Sequence, residues 1–316
     1  MPATMTHQLF AKEIIELVKT TFPLLKKKEH LLMLATQGPD PFFFYQTLPW
    51  QHAKDAHKVR GIGSYLHHHK PAKQLKKLYD IAKSMDDEDV YAYMIGAIMH
   101  YILDKHVHPY VFSRSGFASN GMLTPPFNIY HSHMETLIDV ALIQKKKVPA
   151  VSVHPARNIH LPKHTLKKID TLYLKAYPDI VSEDDFLHAA TDMHKVYSFL
   201  YDRFGIKRNL LRLFFGKASQ AFASSHPKTL RSFENKDVLN VSHISWRHTE
   251  TGDSSNEDVL QLFERAKEDM LHILSMIKED HIDFEAWTQD INYDGLTSLG
   301  KHTYQTMMFP LWRVSQ

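Results

Sequence analysis

The stretch 89–107 constrains the fold of this chain most strongly, because apolar residues occupy almost every side of the helix that it predicts. A helix of this kind belongs at the centre of a bundle, with other helices around it. Acidic residues at 86–89 precede it and suit the positive end of a helix dipole. The sequence predicts that this central helix ends at His108, since Pro109 disfavours helical geometry in the residue before it.

Two polar residues interrupt this apolar helix on one face. His100 and Asp104 are four residues apart, and residues at that spacing lie on the same side of a helix. A buried, unpaired carboxylate costs a large amount of free energy, so Asp104 needs a strong partner. A histidine alone would supply such a partner, and a bound cation would supply a better one.

A second predicted helix, 128–142, repeats the spacing with His131 and Glu135, and His108 follows Asp104 at the same interval. Neutral imidazole and ionised carboxylate are the usual zinc ligands in a protein that has no cysteine. The two helices together therefore predict a metal site between them.

Histidine is the residue type in clear excess, with 23 copies among 316 residues, clustered before residue 165. This excess favours a metal site over a compositional bias of the organism, because imidazole is the commonest metal ligand. The chain has no cysteine, which excludes disulfides and thiolate metal sites. Its net charge of +3 is too weak to argue for nucleic acid or an anionic membrane as a partner.

The N-terminus has no basic start followed by an apolar stretch, so no secretory signal is predicted. No apolar run approaches the ~18 residues of a transmembrane helix. The simplest interpretation is a soluble cytoplasmic protein, or a mature chain from which a signal has been removed.

The remaining sequence predicts an all-α protein. Thr6 is the predicted N-cap of the first helix, and Asn256 that of the last. Further helices are predicted at 29–36, 52–70, 71–84, 163–177, 182–204, 207–224 and 256–280. Non-helical segments are expected at 111–127 (an active-site loop), 149–162 (an extended linker), 240–255 (an exposed polar loop) and 281–316. We expect a metal-binding catalytic core at 1–148 and a C-terminal helical region at 149–316, packed as one globular unit.

Three further segments carry candidate ligands. His7 lies in the first turn of the first helix, where a lone histidine is usually exposed. Asp40 lies between two prolines, which predict an extended, rigid turn. Because the aromatic residues 42–45 follow, this aspartate is either a turn residue before a core cluster or a carboxylate at the rim of an aromatic-walled pocket. Among the histidines at 67–69, His67 lies nearest to the apolar side of its helix.

These residues form an ordered series: His7, Asp40 in GPDPFFFY, one histidine of LHHH, His100 and Asp104 in HYILD, His108, and His131 and Glu135 in HSHME. In this order and in its HxxxD and HxxxE pairs, the chain resembles the zinc-dependent phospholipase C family over residues 5–142. That family shares its fold with fungal zinc-dependent single-strand nucleases. The resemblance implies an α-helical bundle that binds two or three zinc ions.

The resemblance also implies the ligands: Asp40, His67, His100 and Asp104 for one zinc ion, His108, His131 and Glu135 for a second, and His7 for a third, with Asp104 as a bridge. Asp40 and Asp104 would be the catalytic carboxylates. Secreted members bind the third ion through an N-terminal tryptophan, whereas removal of Met1 here would leave Pro2 in that role. The interval from Asp104 to His108 is also shorter than in those enzymes.

The resemblance predicts a metal-dependent phosphoric-diester hydrolase, in which zinc-bound hydroxide attacks a phospholipid or a related small phosphodiester. A phospholipid substrate would involve transient contact with a membrane surface. A nuclease of the same fold is one alternative, and it would need exposed aromatic residues and a basic groove. A non-catalytic helical protein with a closed structural metal site is the other. The eight candidate ligands exceed the four that a closed site needs, which favours an enzyme.

Overall fold

The computed structural model describes residues 4–48, 50–51, 54–202, 204, 206–216 and 237–305. Over these residues the protein is mostly helical, which confirms the predicted all-α class. The α-helices of the first half are α1 (Thr4–Thr21), α2 (Glu29–Ala35), α3 (Ala56–His68), α4 (Pro71–Ser84), α5 (Glu88–Ser115) and α6 (Phe127–Lys145). Those of the second half are α7 (Pro155–Asn158), α8 (Lys163–Ala176), α9 (Asp185–Leu200), α10 (Ile206–Phe215), α11 (Val259–Lys278) and α12 (Phe284–Thr288).

Shorter elements connect these helices. The 3₁₀ helices lie at Pro23–Lys27, Asp40–Phe44 and Ala150–Val153, and the strands β1 (Trp246–Arg247) and β2 (Ser254–Ser255) form an antiparallel pair. Pro2 and the predicted helical or irregular stretches 217–224 and 306–316 lie outside the described residues. Within the described parts of the chain, none of the helices combines the length and the apolarity that crossing a bilayer requires.

Helix α5 is the central helix, as its sequence predicts. It contacts α1, α2, α4, α6, α8 and α11, and its residues from Ala92 to Leu103 are all buried. The approach of α2 is especially close at Gly96, where an added Cβ would lie 2.2 Å from the Cβ of Ala35. Any larger residue at this position would therefore force α2 and α5 apart.

The prediction that α5 ends at His108 is wrong, and so is the prediction of a loop over 111–115. The helix continues through Pro109 to Ser115, and Tyr110 and Val111 are almost completely buried. Proline removes only one helical hydrogen bond, that to the carbonyl group of Lys105. The backbone of Gly295 covers this position, since an added Cβ there would lie 3.1 Å from the Lys105 oxygen. Packing thus outweighs the local preference of proline, and His108 stays on one face with Asp104.

The stretch 149–162 is not an extended linker. It forms the 3₁₀ helix Ala150–Val153 and α7, and the side chains of Val153 and Ile159 enter the core. The buried apolar residues form one cluster that contains members from both predicted halves of the chain. The proline-rich segment is therefore part of the folded protein and covers α1 and α9.

Two further predictions about the second half need correction. Residues 240–255 are mostly exposed, as predicted, but they include the β1–β2 pair and bury Trp246 and Thr249. The N-cap of α11 is Asp258, not Asn256, and it forms a capping box with Gln261. In residues 240–255 and at the start of α11, polar side chains can be buried because they form hydrogen bonds within the protein.

Asp269 on α11 joins three elements of the bundle. Its Oδ2 lies 3.0 Å from His106 Nε2 and 2.5 Å from Lys105 Nζ, and its Oδ1 accepts a hydrogen bond of 2.7 Å from Trp287 Nε1. Burial raises the pKa of this carboxyl group. The hydrogen bond with His106 and the charge of Lys105 outweigh burial and hold the pKa well below its ordinary value.

The Asp269→Asn variant is expected to lose roughly 1–3 kcal/mol of unfolding free energy at neutral pH, because an amide cannot replace these charged hydrogen bonds. Since the folded-state pKa is depressed, the stabilisation is present above the unfolded-state pKa of about 3.9 and is lost as the pH falls below it. Urea unfolding from neutral pH down to acid should show the difference from wild type shrinking. A difference that stays constant would contradict this account. The exposed neighbour Glu268 provides the control, and Glu268→Gln should change stability by less than about 0.5 kcal/mol.

Candidate metal centre

The structure brings all eight predicted ligand residues together in the interior of the protein. They come from α1, the 3₁₀ helix Asp40–Phe44, α3, α5 and α6. None is more than 8% exposed: His7, Asp40, His67, His100, Asp104, His108, His131 and Glu135. His7 is therefore buried, unlike an ordinary first-turn histidine. Their ligand atoms form three groups, and within each group all of these atoms lie within 4.8 Å of one another.

The first group consists of Asp40, His67 and His100, and its spacings are close to those of zinc ligands. His67 Nε2 lies 3.1 Å from Asp40 Oδ1 and 3.5 Å from His100 Nε2, and His100 Nε2 lies 3.1 Å from Asp104 Oδ2. The longer edges, from His100 to Asp40 and from His67 to Asp104, measure 3.8 and 4.0 Å. Ligand atoms about 2.0–2.1 Å from a tetrahedral zinc ion lie roughly 3.3 Å apart. Asp40, His67 and His100 therefore surround a space that fits one ion, and Asp104 belongs to the other group that contains His100.

The second group lies between α5 and α6. Glu135 Oε1 is 3.2 Å from His108 Nε2 and 3.3 Å from His131 Nε2. Burial lowers the pKa of His108, but the carboxylates of Asp104 and Glu135 outweigh burial and raise this pKa to about 10. Without a metal ion His108 therefore carries a proton at neutral pH, and an ion that binds there must displace it.

Asp104 stands between all of these side chains. Its Oδ1 is 3.0 Å from His7 Nε2 and 3.6 Å from His108 Nε2, while its Oδ2 faces His100. Burial raises the pKa of Asp104, but the imidazoles of His108, His100 and His7 outweigh burial and hold it well below its ordinary value. Asp104 would therefore be able to share a metal ion with histidines from α1 and from two turns of α5.

Backbone carbonyl groups orient three of the histidines. The Nδ1 of His67 lies 2.8 Å from the oxygen of Gly63, that of His100 3.0 Å from Thr36, and that of His108 2.8 Å from Tyr293. A carbonyl oxygen only accepts hydrogen bonds, so each Nδ1 carries the proton and donates it. Each Nε2 therefore faces the site. This outer hydrogen bond is the arrangement that accompanies histidine–metal ligation in proteins.

Asp40 is the residue whose surroundings most require a cation. Its side chain is fully buried, and no described residue donates a well-aligned hydrogen bond to either oxygen. In neutral His67, whose Nδ1 donates to Gly63, the Nε2 lone pair would face this carboxylate at 3.1 Å. Two electron-rich atoms at this distance repel each other unless a proton or a metal ion lies between them. Since His67 and His100 both turn Nε2 toward this point, a metal ion satisfies all three groups at once.

The local structure at Asp40 differs from the prediction. Pro39 is helical and Asp40 begins a 3₁₀ helix, so this segment is not extended. Phe42 and Phe44 are buried core residues, and the rings of Phe42 and Tyr173 are 5.0 Å apart. Phe43 is half-buried, with its ring 5.3 Å from that of His67. The core interpretation therefore holds for Phe42 and Phe44, and the pocket interpretation remains for Phe43.

Sequence reasoning missed the residues that support the centre from outside. Asp139, one turn beyond Glu135, accepts hydrogen bonds from the backbone amide groups of Met5 and Thr6 and from the Thr6 hydroxyl group. Asp139 thus caps α1 from another helix, and the prediction that Thr6 is the N-cap is wrong. This contact fixes the turn that carries His7.

The segment after α12 also closes over the centre, which its irregular sequence did not indicate. Asp294 Oδ1 lies 3.8 Å from His108 Nδ1, and Asp294 Oδ2 lies 3.1 Å from His68 Nε2. This hydrogen bond raises the pKa of His68 to about 9. His69 is exposed and its ring packs on Tyr65. Of the histidine triplet, only His67 turns toward the metal centre.

Comparison with known proteins provides no independent identification: the chain matches no family model, no curated protein and no solved structure. The resemblance to zinc-dependent phospholipases C therefore rests on the order and spacing of the ligand residues. The structure itself shows three buried groups of histidine and carboxylate side chains. Their ligand atoms are close enough together to hold metal ions.

Proposed function

We propose that this protein is a metal-dependent phosphoric-diester hydrolase of the phospholipase C type, with two or three zinc ions per chain. The observation that carries the proposal is the position of Asp104, whose Oδ1 faces His7 and His108 and whose Oδ2 faces His100. A closed structural zinc site uses four ligands, so eight candidate ligands in three groups, two of which share His100, support a multinuclear catalytic centre. A zinc cluster supplies an activated water molecule and holds the non-bridging oxygens of a phosphodiester.

The charges of the ligands suit an anionic substrate. Asp40, Asp104 and Glu135 contribute three negative charges, whereas two or three zinc ions bring four to six positive charges. The other ligands are imidazoles, which are neutral when they bind a metal. The loaded centre therefore keeps a net positive charge, which attracts a phosphodiester. Asp40 and Asp104 would each hold an ion together with His100, and the half-buried ring of Phe43 lies beside the first group.

Removal of metal from the purified protein is expected to abolish hydrolysis of bis(p-nitrophenyl) phosphate and to lower stability. A ligand present at a thousand times its dissociation constant stabilises the folded state by about 4 kcal/mol, so chelation should remove stabilisation of this order per tight site. Metal analysis should find at least two zinc ions per chain, and zinc added after chelation should restore both properties. Protein that binds no metal after zinc supplementation would exclude the proposal.

The same preparation distinguishes the alternatives. A nuclease of this fold would hydrolyse single-stranded DNA faster than phosphatidylcholine dispersed in detergent, whereas the proposed enzyme should show the reverse preference. A structural metal site would bind zinc without hydrolysing either substrate, since a closed site has no position for a reacting water molecule.

A further inference from the structure

Helix α10 turns its apolar side toward solvent. Ile206, Leu210, Leu213 and Phe214 follow the spacing i, i+4, i+7 and i+8, which places them on one side of a helix. In a globular protein this side normally faces the core. Here the four residues are 62, 52, 78 and 75% exposed.

Two more exposed aromatic residues lie next to α10 in the sequence. Phe199, in the last turn of α9, is 55% exposed, and Phe204, in the connection to α10, is 71% exposed. We call Phe199, Phe204 and the four residues of the α10 stripe the α10 face. Contiguous exposed apolar side chains of this size mark a surface that binds something, whereas isolated ones are ordinary.

The charged residues in the segment of sequence that carries α10 all have one sign. The sequence from 203 to 216 contains four basic residues and no acidic residue. Asp202, the acidic residue that precedes this segment, is 4% exposed and accepts a hydrogen bond from the Ile206 amide group at 3.1 Å. Lys207 donates to the carbonyl group of Phe199 at 2.5 Å, and its ammonium group lies 5.5 Å from the centre of the Phe199 ring. Arg212 is exposed.

Helix α9, whose last turn carries Phe199, packs against the 3₁₀ helix that begins with Asp40. The rings of Tyr197 and Phe44 are 5.4 Å apart, and the Tyr197 hydroxyl group is hydrogen-bonded to Thr4. Phe44 belongs to the 3₁₀ helix that begins with Asp40, and Thr4 lies one turn from His7. The α10 face starts at Phe199, two residues after Tyr197.

We propose that the α10 face binds the surface of lipid bilayers that contain anionic headgroups. An apolar stripe bordered by lysine and arginine is the pattern of a helix that lies in the plane of a membrane interface. The basic residues complement anionic lipids, which a pattern of mixed charges would not do. Ten residues of α10 are too few to span a bilayer, which needs about 20. The net charge of the whole chain conceals this surface, because acidic residues elsewhere balance it.

Cosedimentation of the full-length protein with vesicles tests this inference. Wild type should bind vesicles of equal parts phosphatidylcholine and phosphatidylglycerol, and should bind pure phosphatidylcholine at least tenfold more weakly. The double variant Leu213→Ser and Phe214→Ser should lose at least tenfold in affinity for the anionic vesicles, since both side chains would otherwise enter the interface. Arg212→Glu should lose at least roughly fivefold, the effect of one basic residue near an anionic surface. Both substitutions alter exposed side chains, so the fold should be unaffected.

Leu299→Ser and Lys301→Glu are the matched controls, because Leu299 is 92% exposed and both residues lie outside the α10 face. They should bind vesicles as wild type does. Equal binding by wild type and the double variant, or no binding by wild type, would overturn the proposal. So would a dimer in light scattering that the double variant dissociates without any vesicle binding, because the face would then bind a second copy. A lower unfolding temperature of the double variant, again without vesicle binding, would show that another part of this chain covers the face.

The inference does not rest on the proposed hydrolase activity, and the two fail separately. Hydrolysis of a water-soluble diester without vesicle binding would contradict the membrane surface alone. Vesicle binding by a protein that binds no zinc would contradict the proposed function alone.

Discussion

The Asp104→Asn variant is expected to lose most of its bound zinc and more than a hundredfold of its phosphodiesterase activity. Replacement of residues that merely support a ligand costs roughly 10–100-fold in metal affinity or activity, and Asp104 is itself within ligand distance of three histidines. Asparagine has nearly the same shape, so the loss would come from the charge. Zinc content after gel filtration and the rate of diester hydrolysis measure the two effects.

Two control pairs make this result specific. Glu88→Gln removes an exposed carboxylate from the same helix and should change neither zinc content nor activity. His67→Ala should reduce zinc binding, whereas His69→Ala, two residues away but exposed, should not. If Asp104→Asn and His67→Ala both retained full zinc content, the metal centre would lie elsewhere in the molecule.

The Gly38→Ala variant is expected to lower both stability and metal affinity, although Gly38 has no ligand atom in the centre. Its φ of +48° is strained for alanine, and an added Cβ would lie 2.6 Å from Cδ2 of the His100 ring. That ring has little room to move, because it bonds to the Thr36 carbonyl group and stacks on His7 at 4.5 Å. Overpacking of this kind costs roughly 1–3 kcal/mol, and it would displace the shared ligand of two groups.

Gly61 is the natural control for this substitution. It lies inside α3, and an added Cβ there would meet nothing within 4 Å. Gly61→Ala should therefore stabilise the protein by about 0.5–1 kcal/mol through higher helix propensity. Thermal unfolding and zinc titration of both variants give the comparison. Wild-type zinc affinity in Gly38→Ala would show that His100 is free to shift or is not a ligand.

The helical part of the metal centre was predictable because the helix period relates sequence to space. His100, Asp104 and His108 share a face for this reason, and His131 and Glu135 repeat the pattern. The same local reasoning failed at Pro109, where tertiary packing decides the end of α5. It failed because the burial of Tyr110 and Val111 depends on segments more than a hundred residues away.

The outer support of the centre was not predictable from any local pattern. Asp139 caps α1 across a separation of more than 130 residues, and Tyr293 orients His108 through a backbone carbonyl group, which every residue type possesses. The prediction of an extended turn at Asp40 failed for another reason. The two flanking prolines fix their own φ angles, but a helical turn and an extended turn are both compatible with the φ angle of proline.

The five chain segments that meet at the metal centre have a consequence for folding. This protein has no cysteine, so it lacks the covalent cross-links by which other chains restrict their unfolded state. Metal ions held jointly by α1 and α5 would close a loop of more than 90 residues between His7 and His100. For a covalent cross-link, closing a loop of this length reduces the entropy of the unfolded chain by the equivalent of roughly 4–5 kcal/mol. The bound metal would thus act as a reversible cross-link. Its contribution to the free energy of unfolding would depend on the concentration of free zinc around the protein.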